Sequence, residues 1–164
     1  EQESIVRFCH GRGLDPGAGG RTLRADTLRA DLFGDALPTV RAEATTLPFR
    51  DDTFDYVCNS HLLEHLPDPR AAIREWLRVV RPTGVVAMVI PDTRWTQGMN
   101  TDRTPHLHEW TPEDFQQRVL GWPWRVDWWQ ATGPLAWCAG SVLAMGVACP
   151  GWSFSVMIEK GVPS

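Results

Sequence analysis

The chain has 164 residues, of which 43% are hydrophobic and 22% charged, with a formal net charge of −4. Those values fit one soluble globular domain spanning residues 1–164 with one sizeable core. They argue against a general nucleic-acid binder, which needs a basic face, and no apolar run approaches the ~20 residues of a membrane span.

Ser4–Cys9 fits either a short helix or the lead-in to a strand. Gly13-Leu14-Asp15 predicts a first strand, stopped by the glycine-rich turn Pro16-Gly17-Ala18-Gly19-Gly20. The five residues Thr22–Asp26 recur as Thr27–Asp31, but two copies are too few for a repeat architecture. A second strand is expected at about Thr27–Leu32, ending on the acid Asp31, and a third at Thr39–Ala44. Leu47–Asp52 reads as a turn, and the β-rich run Phe54–Ser60 as the fourth strand.

Pro69–Val80 carries the clearest helical pattern. Asp68 suits the cap and Pro69 the first turn. Ile73, Trp76, Leu77 and Val80 share one face, and Arg70, Arg74, Glu75 and Arg78 lie mostly on the other. Pro82-Thr83-Gly84 stops the helix. Val85–Ile90 is apolar throughout, as in a strand buried on both faces of a parallel sheet. Asp92–Glu109 forms a long polar loop. Thr111-Pro112-Glu113-Asp114 starts a helix that runs to about Leu120. Trp124–Ala131 and Ser153–Lys160 read as two further strands, and Leu135–Ala148 is apolar without a decisive period. Alternating strands and helices predict a mainly parallel α/β sheet, with its ligand beyond the carboxyl ends of the strands.

The glycine turn narrows the choice of ligand. A dinucleotide site wants Gly-x-Gly-x-x-Gly followed by a helix whose N-terminus holds the pyrophosphate. Gly17-Ala18-Gly19-Gly20-Arg21-Thr22 lacks the third glycine, and too few residues precede the next strand for a crossover helix. S-adenosylmethionine suits such a turn, since it has no phosphate and its sulfonium is cationic. The spacing therefore disfavours NAD. An acid ending the second strand commonly holds ribose hydroxyls. Asp31 is the candidate, with Asp26 and Asp35 as rivals because the repeat blurs the register.

The residues also resemble a known family. Leu14-Asp15-Pro16-Gly17-Ala18-Gly19 looks like the first motif of class I S-adenosylmethionine-dependent methyltransferases of the type 11 kind. Glu43–Phe49 followed by Asp51-Asp52-Thr53-Phe54-Asp55, Ser60–Leu66, and Glu75–Gly84 each resemble further family segments. The resemblance covers about residues 11–92. It implies a Rossmann-like methyltransferase fold, with a mostly parallel seven-stranded sheet, an antiparallel last strand and a shortened first crossover. By the same resemblance, Asp15, Gly17, Ala18 and Gly19 would face the methionine end of S-adenosylmethionine. Asp31 would hold the ribose, and Leu32 would lie against the adenine. Glu43 and Ala44 would meet the adenine edge, and Ser60 and His61 would lie near the carboxylate and methyl group. Pro16 and Thr83 depart from the family pattern, which has a small or branched apolar residue and a glycine there.

Methyl transfer from a sulfonium needs alignment first, and a general base only if the acceptor atom arrives protonated. His61 and His65 are the candidate catalytic residues. His106 and His108 alternate and could share a strand face, but two ligands are too few, and no metal is expected. Of nine tryptophans, eight follow residue 90 (Trp95, Trp110, Trp122, Trp124, Trp128, Trp129, Trp137 and Trp152). They fit core packing, a pocket for an apolar small-molecule acceptor, or a homodimer surface. Cys9, Cys58, Cys138 and Cys149 form no Cys-x-x-Cys pair, and Glu1–Ser4 lacks a basic-then-apolar leader; both suit a cytoplasmic protein. The competing reading is a non-catalytic Rossmann-like domain that binds a partner, with a degenerate cofactor site.

Overall fold

The apolar runs of the sequence become strands of one mixed sheet. The computed structural model describes residues 3–19, 23–33, 38–96, 105–120, 136–138, 143–149 and 153–161. The strands are β1 (Gly13–Pro16), β2 (Leu28–Asp31), β3 (Val40–Arg41), β4 (Phe54–Ser60), β5 (Val80–Pro91), β6 (Ala136–Cys138), β7 (Leu143–Cys149) and β8 (Ser153–Glu159). Their spatial order is β3-β2-β1-β4-β5-β8-β7-β6. The first five strands pair in parallel, and β8, β7 and β6 continue the sheet antiparallel.

Two expectations need correction. The described residues form eight strands where seven were expected, and three of them are antiparallel where only the last was. The extra strands come from the ambiguous stretch Leu135–Ala148, which holds β6 and β7. The strand expected at Trp124–Ala131 lies outside the described residues. Ser4–Cys9 resolves toward a helix, α1 (Glu3–Val6).

The link between β1 and β2 is short, as the spacing predicts. It runs over residues 17–27, and its described residues are turns and bends without a helix. The crossover between β4 and β5 is a full helix, α2 (Pro69–Val79). Asp68 caps it by accepting from the Ala71 N–H at 2.9 Å, and Pro69 occupies the first turn. Its buried face, Ala72, Ile73, Trp76 and Val79, packs into the core with Leu14, Val57, Val86, Met88 and Ile90 from the sheet. Two one-turn helices follow: α3 (Thr93–Thr96) and α4 (Pro112–Phe115). Thr111 and Asp114 form a reciprocal capping box at α4, and a π-helical turn, Gln116–Leu120, extends it. Among the described residues no helix is long and apolar enough to cross a membrane.

β5 starts five residues before the apolar run Val85–Ile90. Phe54 pairs with Val80 and Tyr56 with Val85, so residues 81–84 bulge out of the ladder. Thr83 stands at φ +65° within that bulge. A glycine at this family position therefore answers a backbone requirement, and a β-branched residue there is strained. The Thr83 N–H donates to the Lys160 carbonyl at 2.9 Å, which keeps the conformation in place. Replacing Thr83 by glycine should stabilise the fold by about 1 kcal/mol, the scale of a left-handed penalty. Denaturant unfolding checks this; an unchanged midpoint would show that the bulge bears no strain.

Candidate active site

The site begins where β1 ends. Asp15 is buried at the end of β1, and its carboxylate accepts weakly from the Leu23 N–H at 3.4 Å, across the turn. Gly17 and Gly19 both take left-handed conformations, at φ +70° and +54°. Gly17 also donates its N–H to the Ala30 carbonyl at 2.7 Å, which locks the turn against β2. A side chain at Gly17 would strike Leu62 at 2.5 Å, whereas a Cβ at Gly19 would meet nothing within 4 Å. The turn is thus closed on one side by the segment after β4 and open on the other. Ala18 between them is buried.

Asp31 ends β2 beside this turn. One carboxylate oxygen accepts from the Gly19 N–H at 2.8 Å, and the other from the Phe33 N–H at 2.8 Å. Each oxygen keeps lone-pair capacity for a further donor. Leu32 and Phe33 project beside it with 48% and 76% of their surface exposed. Sequence reasoning had named Leu32 and not Phe33. The rival Asp26 is exposed and bound twice by Arg24, at 3.0 and 2.9 Å, and the rival Asp35 lies outside the described residues.

The loop after β3 supplies Glu43 and Ala44. Glu43 is exposed, and its carboxylate accepts from the Thr45 hydroxyl at 3.0 Å. Ala44 is buried, and its carbonyl accepts from the Trp76 indole at 2.9 Å. Helix α2 holds this loop with residues opposite its apolar stripe. Glu75 accepts from the Leu47 N–H at 2.7 Å. Arg78 binds the carbonyls of Leu47 and Phe49 at 3.1 and 2.8 Å, Asp51 at 2.7 Å, and both oxygens of Glu75 at 2.7 and 2.8 Å. These contacts hold the Glu75 carboxyl below its ordinary range, the Arg78 guanidinium being the largest cause.

β4 delivers the last group. Ser60 ends the strand half-buried, and His61 follows in a left-handed conformation at φ +55°. Sparsely populated backbone of this kind concentrates at functional sites. The His61 ring is exposed by 39%, with Nε2 3.2 Å from the Ser153 Oγ and Nδ1 3.7 Å from Glu64 Oε1. His65 points inward instead: Nδ1 lies 3.1 Å from the Pro105 carbonyl and Nε2 3.7 Å from Glu64 Oε1. The structure therefore brings His61 and His65 to one carboxylate that sequence reasoning missed. Glu64 is fully buried, and burial pushes its pKa up to about 7. Its signal was an acid flanked by two histidines just past a strand.

His106 and His108 do not converge. His106 approaches Glu64 at 4.0 Å, and burial, with the neighbouring His65, holds its pKa below the usual value. His108 bonds the Leu66 carbonyl at 3.0 Å and stacks on Trp110 at 5.1 Å. Trp110 itself is buried core. The side chains of Trp95 and Trp137, and all of Trp122, Trp124, Trp128, Trp129 and Trp152, lie outside what is described, as do residues 97–104 of the polar loop.

Comparison with known proteins agrees with this geometry. The family model described as the methyltransferase domain matches residues 8–88, the span from before β1 into β5. Over that span, about half of its length, the chain is similar to the class I S-adenosylmethionine-dependent methyltransferases. A demethylmenaquinone methyltransferase of Mycolicibacterium paratuberculosis is 50% identical over 48 residues, covering 29% of this chain and 21% of that protein. One from Mycobacterium bovis is 32% identical over 117 residues, covering 71% of this chain and 49% of that protein. The alignments thus span half or less of these curated relatives. In fold, the chain is similar to a solved S-adenosylmethionine-dependent methyltransferase from Thermotoga maritima, with TM-score 0.66, 14% identity, and coverage of 98% and 88% of the two chains.

The two glycines make a paired prediction. Gly19→Ala should cost about 1–2 kcal/mol, the backbone penalty alone. Gly17→Ala should cost clearly more, because Leu62 must also move. Urea unfolding of both variants measures the difference; equal costs would mean that Leu62 gives way freely.

Proposed function

We propose that the chain transfers a methyl group from S-adenosylmethionine to a small-molecule acceptor in the cytoplasm. The observation that carries this reading is the Asp31 carboxylate. It fixes the glycine turn through Gly19 yet retains acceptor capacity, with exposed Leu32 and Phe33 beside it. That combination suits a ribose with an apolar ring next to it. The open space at Gly19 and the turn's lack of a described helix suit a ligand without phosphate.

When bound, S-adenosylmethionine supplies an electrophilic methyl group on a sulfonium. The protein's task is to hold the acceptor atom in line with it, which can be worth on the order of 7–11 kcal/mol in ideal cases. Asp15, Gly17, Ala18 and Gly19 would bound the methionine end, Glu43 and Ala44 the adenine edge, and Ser60 the region near the methyl group. His61 is the proposed base for an acceptor that arrives protonated. Its exposed ring sits between the Ser153 hydroxyl and the Glu64 carboxylate, which can orient it. His65, tied to the Pro105 carbonyl, suits a positioning role better than proton transfer. The relatives named for demethylmenaquinone support an apolar ring-bearing acceptor.

Calorimetry tests the donor. S-adenosylmethionine and its demethylated product should bind, and NAD should not. Asp31→Ala should weaken binding by roughly 1.5–3 kcal/mol, the range for a hydrogen bond to a charged group. Preferential binding of NAD would overturn the reading. Unchanged affinity in a folded Asp31→Ala protein would remove Asp31 from the site.

A further inference from the structure

Glu64 poses a problem that the methyl-transfer reading does not solve. It is fully buried, and among the described residues neither carboxylate oxygen has a hydrogen-bond partner. A buried carboxylate without a donor or a counter-charge is costly. What surrounds it is imidazole: His61 Nδ1 at 3.7 Å, His65 Nε2 at 3.7 Å and His106 Nε2 at 4.0 Å from the same oxygen, Oε1. The donor atoms of Glu64, His65 and His106 all lie within 4.8 Å of one another, whereas His61 also has the Ser153 hydroxyl at 3.2 Å.

The tautomer of His65 sharpens the problem. Its Nδ1 faces the Pro105 carbonyl at 3.1 Å, and a carbonyl can only accept. Nδ1 therefore carries a proton, and Nε2 is the nitrogen turned toward Glu64. Nε2 and Oε1 face each other across 3.7 Å. A shared proton would draw such a pair to about 2.7–2.9 Å. The observed gap instead leaves room for a larger cation. Ligand bonds of about 2.0–2.2 Å place tetrahedral ligands roughly 3.3–3.5 Å apart, so the Glu64–His65 gap needs to close by about 0.3 Å, the Glu64–His106 gap by about 0.6 Å, and the two imidazoles by at most about 1.4 Å. The carbonyl behind His65 is also the usual outer partner of a metal-bound imidazole.

We propose that Glu64, His65 and His106 bind one divalent transition-metal ion of the zinc type. Two imidazole nitrogens and one carboxylate oxygen are a borderline donor set that suits zinc, and three protein ligands leave a fourth position open. The expectation against a metal rested on His106 and His108 as the only pair. The fold separates that pair and supplies Glu64 and His65 from the end of β4. The ion would also fasten the segment around His106 to that strand end. The proposal does not depend on which methyl donor binds.

Zinc binding to the purified, metal-stripped full chain tests it, by equilibrium dialysis and elemental analysis. One zinc per chain is expected. His106→Asn and Glu64→Gln should each weaken binding at least about tenfold, the lower bound even for outer-shell changes. His108→Asn, whose ring bonds the Leu66 carbonyl, should bind as the unsubstituted chain does. X-ray absorption of the unsubstituted zinc-loaded chain should show only nitrogen and oxygen ligands, so the test does not depend on a variant folding. Failure to bind zinc, undiminished binding by folded His106→Asn, or sulfur in the ligand shell would overturn the proposal.

Discussion

Parallel neighbouring strands cannot be joined by a tight hairpin, because the chain must return to the same end of the sheet. Here β1 and β2 are such neighbours, joined only by residues 17–27. So short a link must turn at once on leaving β1. Gly17 allows this with a left-handed backbone, and its N–H reaches across to the Ala30 carbonyl at 2.7 Å. Gly19 turns again and gives its N–H to Asp31. The Asp31 side chain, the turn and the two strand ends are consequently one hydrogen-bonded unit. The position of a ligand at this edge follows from the way the chain closes the link.

The second edge of the site is held differently. The loop from Glu43 to Asp51 includes only two isolated-bridge residues, Glu43 and Thr46, so few of its polar groups are satisfied by a ladder. Helix α2 satisfies several of them. Arg78 presents a planar fork of donors, which suits two carbonyls and two carboxylates at once better than a lysine ammonium would. Because α2 is also the crossover between β4 and β5, its packing on the sheet fixes where the fork stands. Trp76 belongs to both systems: its ring is core and its indole N–H binds the Ala44 carbonyl. Core packing and loop geometry are therefore coupled through one helix.

What the sequence reveals follows from how local the determining physics is. Phe54–Ser60 and Pro69–Val79 were legible because composition, periodicity and caps agree within each segment. The glycine turn was legible because two glycines follow directly on a strand and few residues separate them from the next. β6 and β7 were not, since Leu135–Ala148 is apolar on both faces and shows no period that separates strand from helix. The partners of Glu75 and Arg78 were not legible, because they lie 27 to 31 residues away in sequence. Glu64 and His106 were missed as a pair for the same reason, at a separation of 42 residues. Phe33 looked like any apolar residue; only its exposure beside Asp31 marks it.

The two sides of the site also differ in kind. On the β1–β2 side, contacts are backbone N–H groups and one carboxylate, set by strand ends and a turn that the fold requires. Such a frame can serve any chain that uses the same donor. On the β4 side, the groups are titratable side chains gathered from two segments far apart in sequence: His61, Glu64 and His65 just after β4, and His106 before α4. His61 accepts a strained backbone to stand there, and Glu64 accepts full burial. The last paired residues of the β4–β5 ladder are Ser60 and Val89; the His61 N–H still reaches the Val89 carbonyl at 3.0 Å, and Glu64 lies beyond it. Costs of this sort persist where the surrounding structure over-determines them. The titratable groups of the candidate site are therefore concentrated beyond β4, where the sheet itself asks for least.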